Sequence, residues 1–323
     1  MKETTSQQQV QLSPEEKLAY LRAHPRKIKS GMVRGKSVGS VIADIIIVLL
    51  VGALALVAII PMWHVLMSSF SDGRSIFYYS GIAFVPEGGF TLRAYEELFS
   101  FEDGLIWTGY MNTILYVIGT LAVGLVLNVL AGYCLSRKTK LGGVMSALCV
   151  FTVIFSAGQG PTFYVVDMLG LTQTRFAVIL TECTMGMYMI IGAMAFRSVP
   201  EETVESAKLE GAGHLRIMFE IMLPQCFSLF MVTVLFTFVA AWNSFIGARL
   251  YNAGITDLYP LQLILQRIKE SSDRVASQIG HANWARYPMQ FAGVIAATLP
   301  IMVIMPFFQK QLESGALGGA VKG

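Results

Sequence analysis

One stretch near the start of the chain has the residue types of a phosphate-binding loop. "GMVRGKS" (31–37) supplies two glycines, a lysine and a serine. Three residues separate its glycines where a phosphate cradle needs four, and no strand-like run precedes it. A basic flank facing anionic lipid fits it better. The other reactive side chains are dispersed. Cys134, Cys149, Cys183 and Cys226 lie far apart in apolar runs, and His24, His64, His214 and His281 are equally scattered. Without a C-x-x-C pair or clustered ligands, neither a metal site nor a disulfide framework is expected. The cysteines read as small apolar packing residues. No triad or paired-carboxylate spacing stands out, so no catalytic residue is assigned and the chain itself is not expected to be an enzyme.

What remains is recognition chemistry. A binding path for a polar solute needs aromatic faces and neutral hydrogen-bonding groups; Asn112, Asn128, Trp242 and Asn243 supply them. Each has a plainer role. The two former asparagines read first as hydrogen-bonding groups between helices, and Trp242 reads equally well as an anchor at a membrane interface. Glu182 stands apart. It lies several residues inside an apolar run, where an ionised side chain costs about 2.5–3.5 kcal/mol on insertion scales. Such a group is expected to face a partner or a cavity, away from lipid.

The elements that position these residues follow from composition. Of 323 residues, 54% are hydrophobic and only 14% charged, with mean hydropathy +0.58. Soluble domains carry about 25% charged residues, so too few charges remain to form a polar skin, and lipid is the expected solvent. Six near-continuous apolar segments are long enough to span, at roughly 38–63, 110–135, 142–166, 174–196, 223–248 and 288–311. They lack the alternation of a membrane barrel, which predicts an all-α polytopic protein. The first begins too late, and runs too long, for a signal peptide. The third contains Ser156, Gly158, Gln159, Gly160 and Pro161, a break in any helix. Such a break fits either a turn at the helix end or irregular backbone lining a wet cavity.

Charge sets the orientation. Residues 1–37 and the link "SRKTKLGG" (136–143) are rich in Lys and Arg, whereas 64–109 is acidic. That asymmetry places the N-terminus, the 137–141 turn, the 197–222 segment and the C-terminus in the cytoplasm. Segments 64–109 and 249–287 become outer loops. All four tryptophans (Trp63, Trp107, Trp242, Trp284) then fall near the outer interface.

Between two of the spans lies "PEETVESAKLEGAGHLRIMFEIMLP" (200–224). Ser198 and Glu201 have capping-box spacing, with Pro200 in the first turn. This predicts a short helix over roughly 200–210, ended by Gly211-Ala212-Gly213. A second helix follows, carrying an apolar stripe of Leu215, Met218, Phe219 and Met222, with Pro224 starting the fifth span. The product is a helix-turn-helix with an apolar face presented to the cytoplasm. Acid outweighs base on it, which favours a protein groove over anionic headgroups.

These residues resemble the signature of the permease subunits of ABC importers: E-A-A, three residues, G, nine residues, I-x-L-P. Here the pattern reads Glu205-Ser206-Ala207, Gly211 and Ile221-Met222-Leu223-Pro224, with Ser206 in place of the central alanine. "AAWNSF" (240–245), "LYPLQLIL" (258–265) and "PFFQKQLESGALGGAVKG" (306–323) are similar to elements of carbohydrate-uptake permeases of the MalG-like, LplC type. The resemblance implies the six-helix type I importer permease fold over 38–311, a Gly-rich cytoplasmic tail at 312–323 and coupling helices at 200–222. It also implies a bacterial cell-membrane location. Glu205, Ala207 and Gly211 would contact a cytoplasmic ATPase, Glu205 through polar bonds and the other two by permitting close approach.

The implied partners are a second permease, two copies of that ATPase, an extracellular solute-binding protein, a saccharide and lipid, with no nucleic acid. ATP and magnesium would be bound by the ATPase, so this subunit needs no cofactor. Gly119 with Gly124, and Gly192, are expected to pack against the second permease, and 249–287 to reach the binding protein. A self-sufficient secondary transporter or channel is the alternative. It would require inverted repeats and intramembrane charge pairs, of which only Glu182 is present.

Overall fold

The computed structural model describes residues 38–137, 139–155, 157–183, 186–277, 284 and 286–320. The basic segment 1–37 with its glycine-lysine stretch, Ser156 and 321–323 lie outside the described residues. The first helix, α1 (Val38–Ser69), contains the boundary between two compact units at Ile60/Pro61. Up to Ile60 it is an apolar helix with one charged residue, Asp44, and exposed aliphatic side chains such as Val48 and Leu56.

From Pro61 onward the chain is a helical assembly. Short α2 (Gly73–Tyr78) and α3 (Arg93–Ser100) precede α4 (Leu105–Ser136). Then come α5 (Lys140–Ile154), α6 (Gln159–Met168), α7 (Arg175–Glu182) and α8 (Gly186–Arg197). They are followed by α9 (Glu201–Leu209) and α10 (His214–Gln225), the latter widened into a π turn over Ile217–Met222. The chain closes with α11 (Phe227–Asn243), α12 (Ile246–Tyr251), α13 (Leu261–Ser277) and α14 (Arg286–Ala320). No strand occurs among the described residues.

The six apolar segments are present, but among the described residues only α1, α4 and α14 are long and apolar enough to cross a membrane alone. The other three are bent pairs: α5 with α6 at 119°, α7 with α8 at 47°, and α10 with α11 at 83°. The first bend falls where Gly158, Gln159, Gly160 and Pro161 predict one. Gly158 is the N-cap of α6 at φ +80, a conformation a side chain would oppose. The fifth segment differs from expectation at its start. Pro224 lies within α10, and the corner is Cys226.

Glycines let α4 and α8 meet backbone to backbone. A Cβ on Gly132 would stand 2.8 Å from the carbonyl carbon of Gly192, and one on Gly192 3.1 Å from the Asn128 carbonyl oxygen. A Cβ on Gly124 would approach the Cys183 carbonyl oxygen at 3.3 Å, and Gly119 abuts Ile179. The glycines expected to face a second permease are therefore used inside this chain. Small residues are what permit such close crossings where no hydrophobic gradient drives helices together.

Segments 64–109 and 249–287 are likewise more than loops. Leu98 of α3, Ile106 of α4, Trp242 of α11, Leu261, Ile264 and Ile268 of α13 and Met289 of α14 form one buried cluster. A deletion across 262–280 would remove part of this core, so it is no clean test of contacts made by 249–287. A second cluster gathers Tyr133, Phe196, Val204, Met218, Met222 and Phe230 beneath α9 and α10. The outer surface is widely apolar, with Val144, Leu148, Phe151 and Ile154 of α5 all exposed. In lipid that arrangement carries no penalty.

Candidate functional site

The helix-turn-helix 201–225 is built from local rules, with one expected feature missing. α9 starts at Glu201 behind Pro200, whose carbonyl accepts from the Thr203 N–H at 3.2 Å. Ser198 does not cap it. Its Oγ donates to the Ala195 carbonyl at 2.7 Å, because Ser198 still belongs to the end of α8. Glu201 and Glu202 occupy the first turn and Lys208 the last, each matching the helix dipole.

Gly211 ends α9 at φ +82. The Gly211 N–H reaches the Lys208 carbonyl at 3.0 Å and the Ala212 N–H reaches the Ala207 carbonyl at 2.9 Å. This is the paired 5→2 and 6→1 bonding of a Schellman cap. A Cβ at 211 would meet nothing within 4 Å. Glycine is needed here for its left-handed backbone, and the geometry gives no sign that crowding selects it.

The two faces of this element are sharply divided. Val204 and Ala207 of α9, three residues apart, are buried with Ile217, Met218 and Met222 of α10. Ala207 thus packs within the chain, a correction to its expected contact with a partner. Ile221 and Leu223 also pack inward, partly buried. Facing out are Glu205, Ser206, Leu209, Leu215, Phe219 and Pro224. Leu209 is 90% exposed, Leu215 68% and Phe219 49%. The expected stripe of Leu215, Met218, Phe219 and Met222 is therefore split into a buried pair and an exposed pair. In ordinary helical register Met218 and Met222 share a face with Ile217 and Ile221, so the inward face is centred nearer the isoleucines and its edge divides the stripe. The π turn precedes Pro224, which has no N–H and crowds the carbonyl four residues back.

Arg137, at the end of α4, clasps both arms of the element. Its Nη1 lies 3.5 Å from Glu201 Oε1, its Nη2 donates to Met222 Sδ at 3.5 Å, and its guanidinium covers the Tyr133 ring at 5.4 Å. The Tyr133 hydroxyl and His214 Nδ1 are 2.9 Å apart. Arg197 Nη2 donates to the Leu135 carbonyl at 2.7 Å. A push on α9 or α10 is thus delivered to α4 and α8 through fixed contacts. Sequence reading used Arg137 only for orientation. A cation at a helix end, with acids waiting across the next span, was the available signal.

The tentative path residues separate into two groups. Asn112 is 1% exposed and fully engaged. Its Nδ2 donates to the Asp257 and Tyr259 carbonyls at 2.7 and 3.1 Å, and its Oδ1 accepts from Arg175 at 3.0 Å. Trp242 is 4% exposed, donates from Nε1 to the Ala297 carbonyl at 3.1 Å and stacks on Phe238. Both are framework residues, and Trp242 is a core side chain, not an anchor at an interface. Glu182 and Asn243 instead line one half-open cavity of about 470 Å³, with Gln159, Thr162, Thr181 and Ser244. The cavity exists because α6 begins, α7 ends and α11 ends around it. Glu182 Oε1 accepts from Ser244 Oγ at 2.7 Å. Asn128 lies elsewhere, buried in α4, with no donor to its Oδ1 among the described residues.

Comparison with known proteins adds an independent line. Residues 110–318 match the family model described as binding-protein-dependent transport system inner membrane component. The polygalacturonan/rhamnogalacturonan transport system permease protein YtcP of Bacillus subtilis is 33% identical, over 83% of this chain and 94% of that one. Protein LplC of the same organism is 32% identical, over 87% and 95%. The maltodextrin transport system permease protein MdxG, also of Bacillus subtilis, is 28% identical over 84% and 93%. Among solved structures, a bacterial ABC transporter involved in the import of the acidic polysaccharide alginate superposes with a TM-score of 0.73. That likeness covers 86% of this chain and 99% of the other at 23% identity, and it speaks to fold.

Proposed function

The chain belongs to the family of binding-protein-dependent transport system inner membrane components, and on that premise we propose that it is a permease subunit of an ATP-driven importer of oligosaccharides. It forms half of a translocation path with a second permease. Two copies of a cytoplasmic ATPase bind and hydrolyse ATP with magnesium, and an extracellular binding protein delivers the saccharide. This subunit hydrolyses nothing itself and carries no cofactor. Residues 38–311 are the permease domain, and both termini lie in the cytoplasm of a bacterial cell.

One observation carries the reading. The α9–α10 element presents Glu205, Leu209, Leu215 and Phe219 outward while its other face is locked to α4, α8 and α11. Exposed apolar side chains on an element where acids outnumber bases fit a protein groove, and a helix on anionic headgroups would carry an excess of bases. When the ATPase pair closes on ATP, it displaces this element. Arg137, Tyr133 and the second buried cluster pass the displacement to the helices around the path. The path then alternates between inward and outward access.

The assembled transporter in proteoliposomes tests this. Uptake from a panel of neutral and acidic oligosaccharides is expected to require ATP, the ATPase and the binding protein together. Uptake by the lone chain without any ATPase would contradict the importer reading and favour a self-sufficient transporter or channel.

A further inference from the structure

The cavity between α6, α7 and α11 has a chemical bias that points to a substrate class. Several donors around it are consumed internally. Thr162 Oγ1 donates to the Gly158 carbonyl at 2.9 Å and Thr181 Oγ1 to the Ala177 carbonyl at 2.7 Å. Asn243 Nδ2 donates to the Val239 carbonyl at 2.8 Å, and Ser244 Oγ gives its proton to Glu182. Lone pairs remain on the threonine oxygens and on the second carboxylate oxygen of Glu182, while Asn243 Oδ1 already accepts from Gln262 at 3.4 Å. Among the described residues the lining holds no lysine, arginine or histidine, and no ion pair includes Glu182.

The carbonyl ends of α7 and α11 point the same way, adding negative dipole ends to a negative charge. The donors that remain carry no formal charge: the Tyr251 hydroxyl, the second Asn243 N–H, Gln159 and the first-turn amides of α6 and α12.

We propose that this cavity is a saccharide subsite for neutral sugars, with Glu182 as the specificity-determining residue that accepts their hydroxyl protons and repels sugar carboxylates; this rests on the importer reading. A neutral sugar brings many hydroxyl donors and suits an acceptor-rich, negatively charged wall. A uronic sugar brings a carboxylate that needs donors or cations, and finds a like charge instead. Asn243 and Ser244 position the wall, and Glu182 sets its sign.

The test uses the assembled transporter with Cys134, Cys149, Cys183 and Cys226 replaced by serine and a reporter cysteine introduced as Asn243→Cys. Ile246→Cys, another lining position, serves if the first reporter does not assemble. Modification rates are measured with a trimethylammonium and a sulfonate methanethiosulfonate, each divided by its rate with free thiol. With Glu182 present the cationic reagent is expected to lead by roughly tenfold or more, the size of one unscreened charge nearby. Glu182→Gln is expected to bring that ratio close to one. An equal ratio in both backgrounds would overturn the proposal.

A second arm compares ATP-driven uptake of a neutral galactan trisaccharide and trigalacturonate. Glu182→Gln should raise the uronate-to-neutral ratio by about tenfold; an unchanged ratio would also count against the subsite. The two readings fail separately. If the reagent ratio follows Glu182 but neither sugar enters with ATP, the charged cavity stands and the importer reading falls.

Discussion

Gly211→Val is expected to cut sugar uptake by about 5- to 30-fold while the protein still reaches the membrane. Gly211 sits at φ +82 in the Schellman cap that closes α9. A left-handed backbone costs an ordinary residue about 1–2 kcal/mol, and a β-branched one tolerates it least. No neighbouring atom lies within 4 Å of a Cβ there, so the penalty is conformational. The chain escapes it by rebuilding the turn, which rotates α9 against α10 and misplaces Glu205 and Leu209 relative to Leu215. An escape worth 1–2 kcal/mol leaves roughly 5–30 rebuilt molecules for each native one. The series at this position separates backbone from bulk. Asn tolerates the left-handed region, so Gly211→Asn should keep much of the uptake, with Gly211→Ala between Asn and Val. Wild-type uptake by the Val variant, or equal loss in the Asn and Val variants, would show that the cap is not what position 211 supplies.

The second large effect is expected from Leu215→Glu combined with Phe219→Glu. Both side chains are exposed, so the fold should be indifferent to them. As apolar anchors in a partner groove they would behave as interface hot spots, worth about 2 kcal/mol or more each. Each lost anchor then weakens docking by about 30-fold. Thermal stability of the solubilised chain should stay within about 0.5 kcal/mol of wild type, while transport-coupled ATP hydrolysis is lost. The neighbour Met218, 1% exposed, gives the opposite pattern. Met218→Glu buries a charge and should destabilise the element itself. Coupled hydrolysis at wild-type level in the double variant would remove the apolar pair from the docking surface.

Much of this was legible in the chain because lipid simplifies the rules. Apolar runs of sufficient length had to be helices, and the low charge left no other solvent for them. The break at 158–161 and the turn at 211–213 were visible because glycine and proline act locally. What stayed hidden depends on partners far away in sequence. Trp242 reads as an interface residue until Ala297 is found beside its indole nitrogen. Gly192 reads as an outward packing residue until Gly132 is found opposite it. The inward face of α10 is centred on Ile217 and Ile221, so the edge of that face cuts the expected stripe, leaving Leu215 and Phe219 outside and Met218 and Met222 buried. Ser198 had capping spacing but was held by the preceding helix. Glu182 was legible in another way, since the expense of a charge in an apolar run called for a partner or a cavity, and it lines one together with Asn243.

The account turns on whether the outward face of α9 and α10 is gripped by a separate ATPase. Photo-crosslinking from Leu209 and Leu215, each replaced singly by a benzophenone-bearing amino acid in intact membranes, tests this directly. Phe90, exposed and outside this element, serves as the control position. The expected result is a covalent adduct between this chain and an ATP-hydrolysing subunit from both 209 and 215, with a yield that changes on adding ATP, and none from Phe90. No such adduct from either position, in membranes that still take up sugar with ATP, would contradict the account.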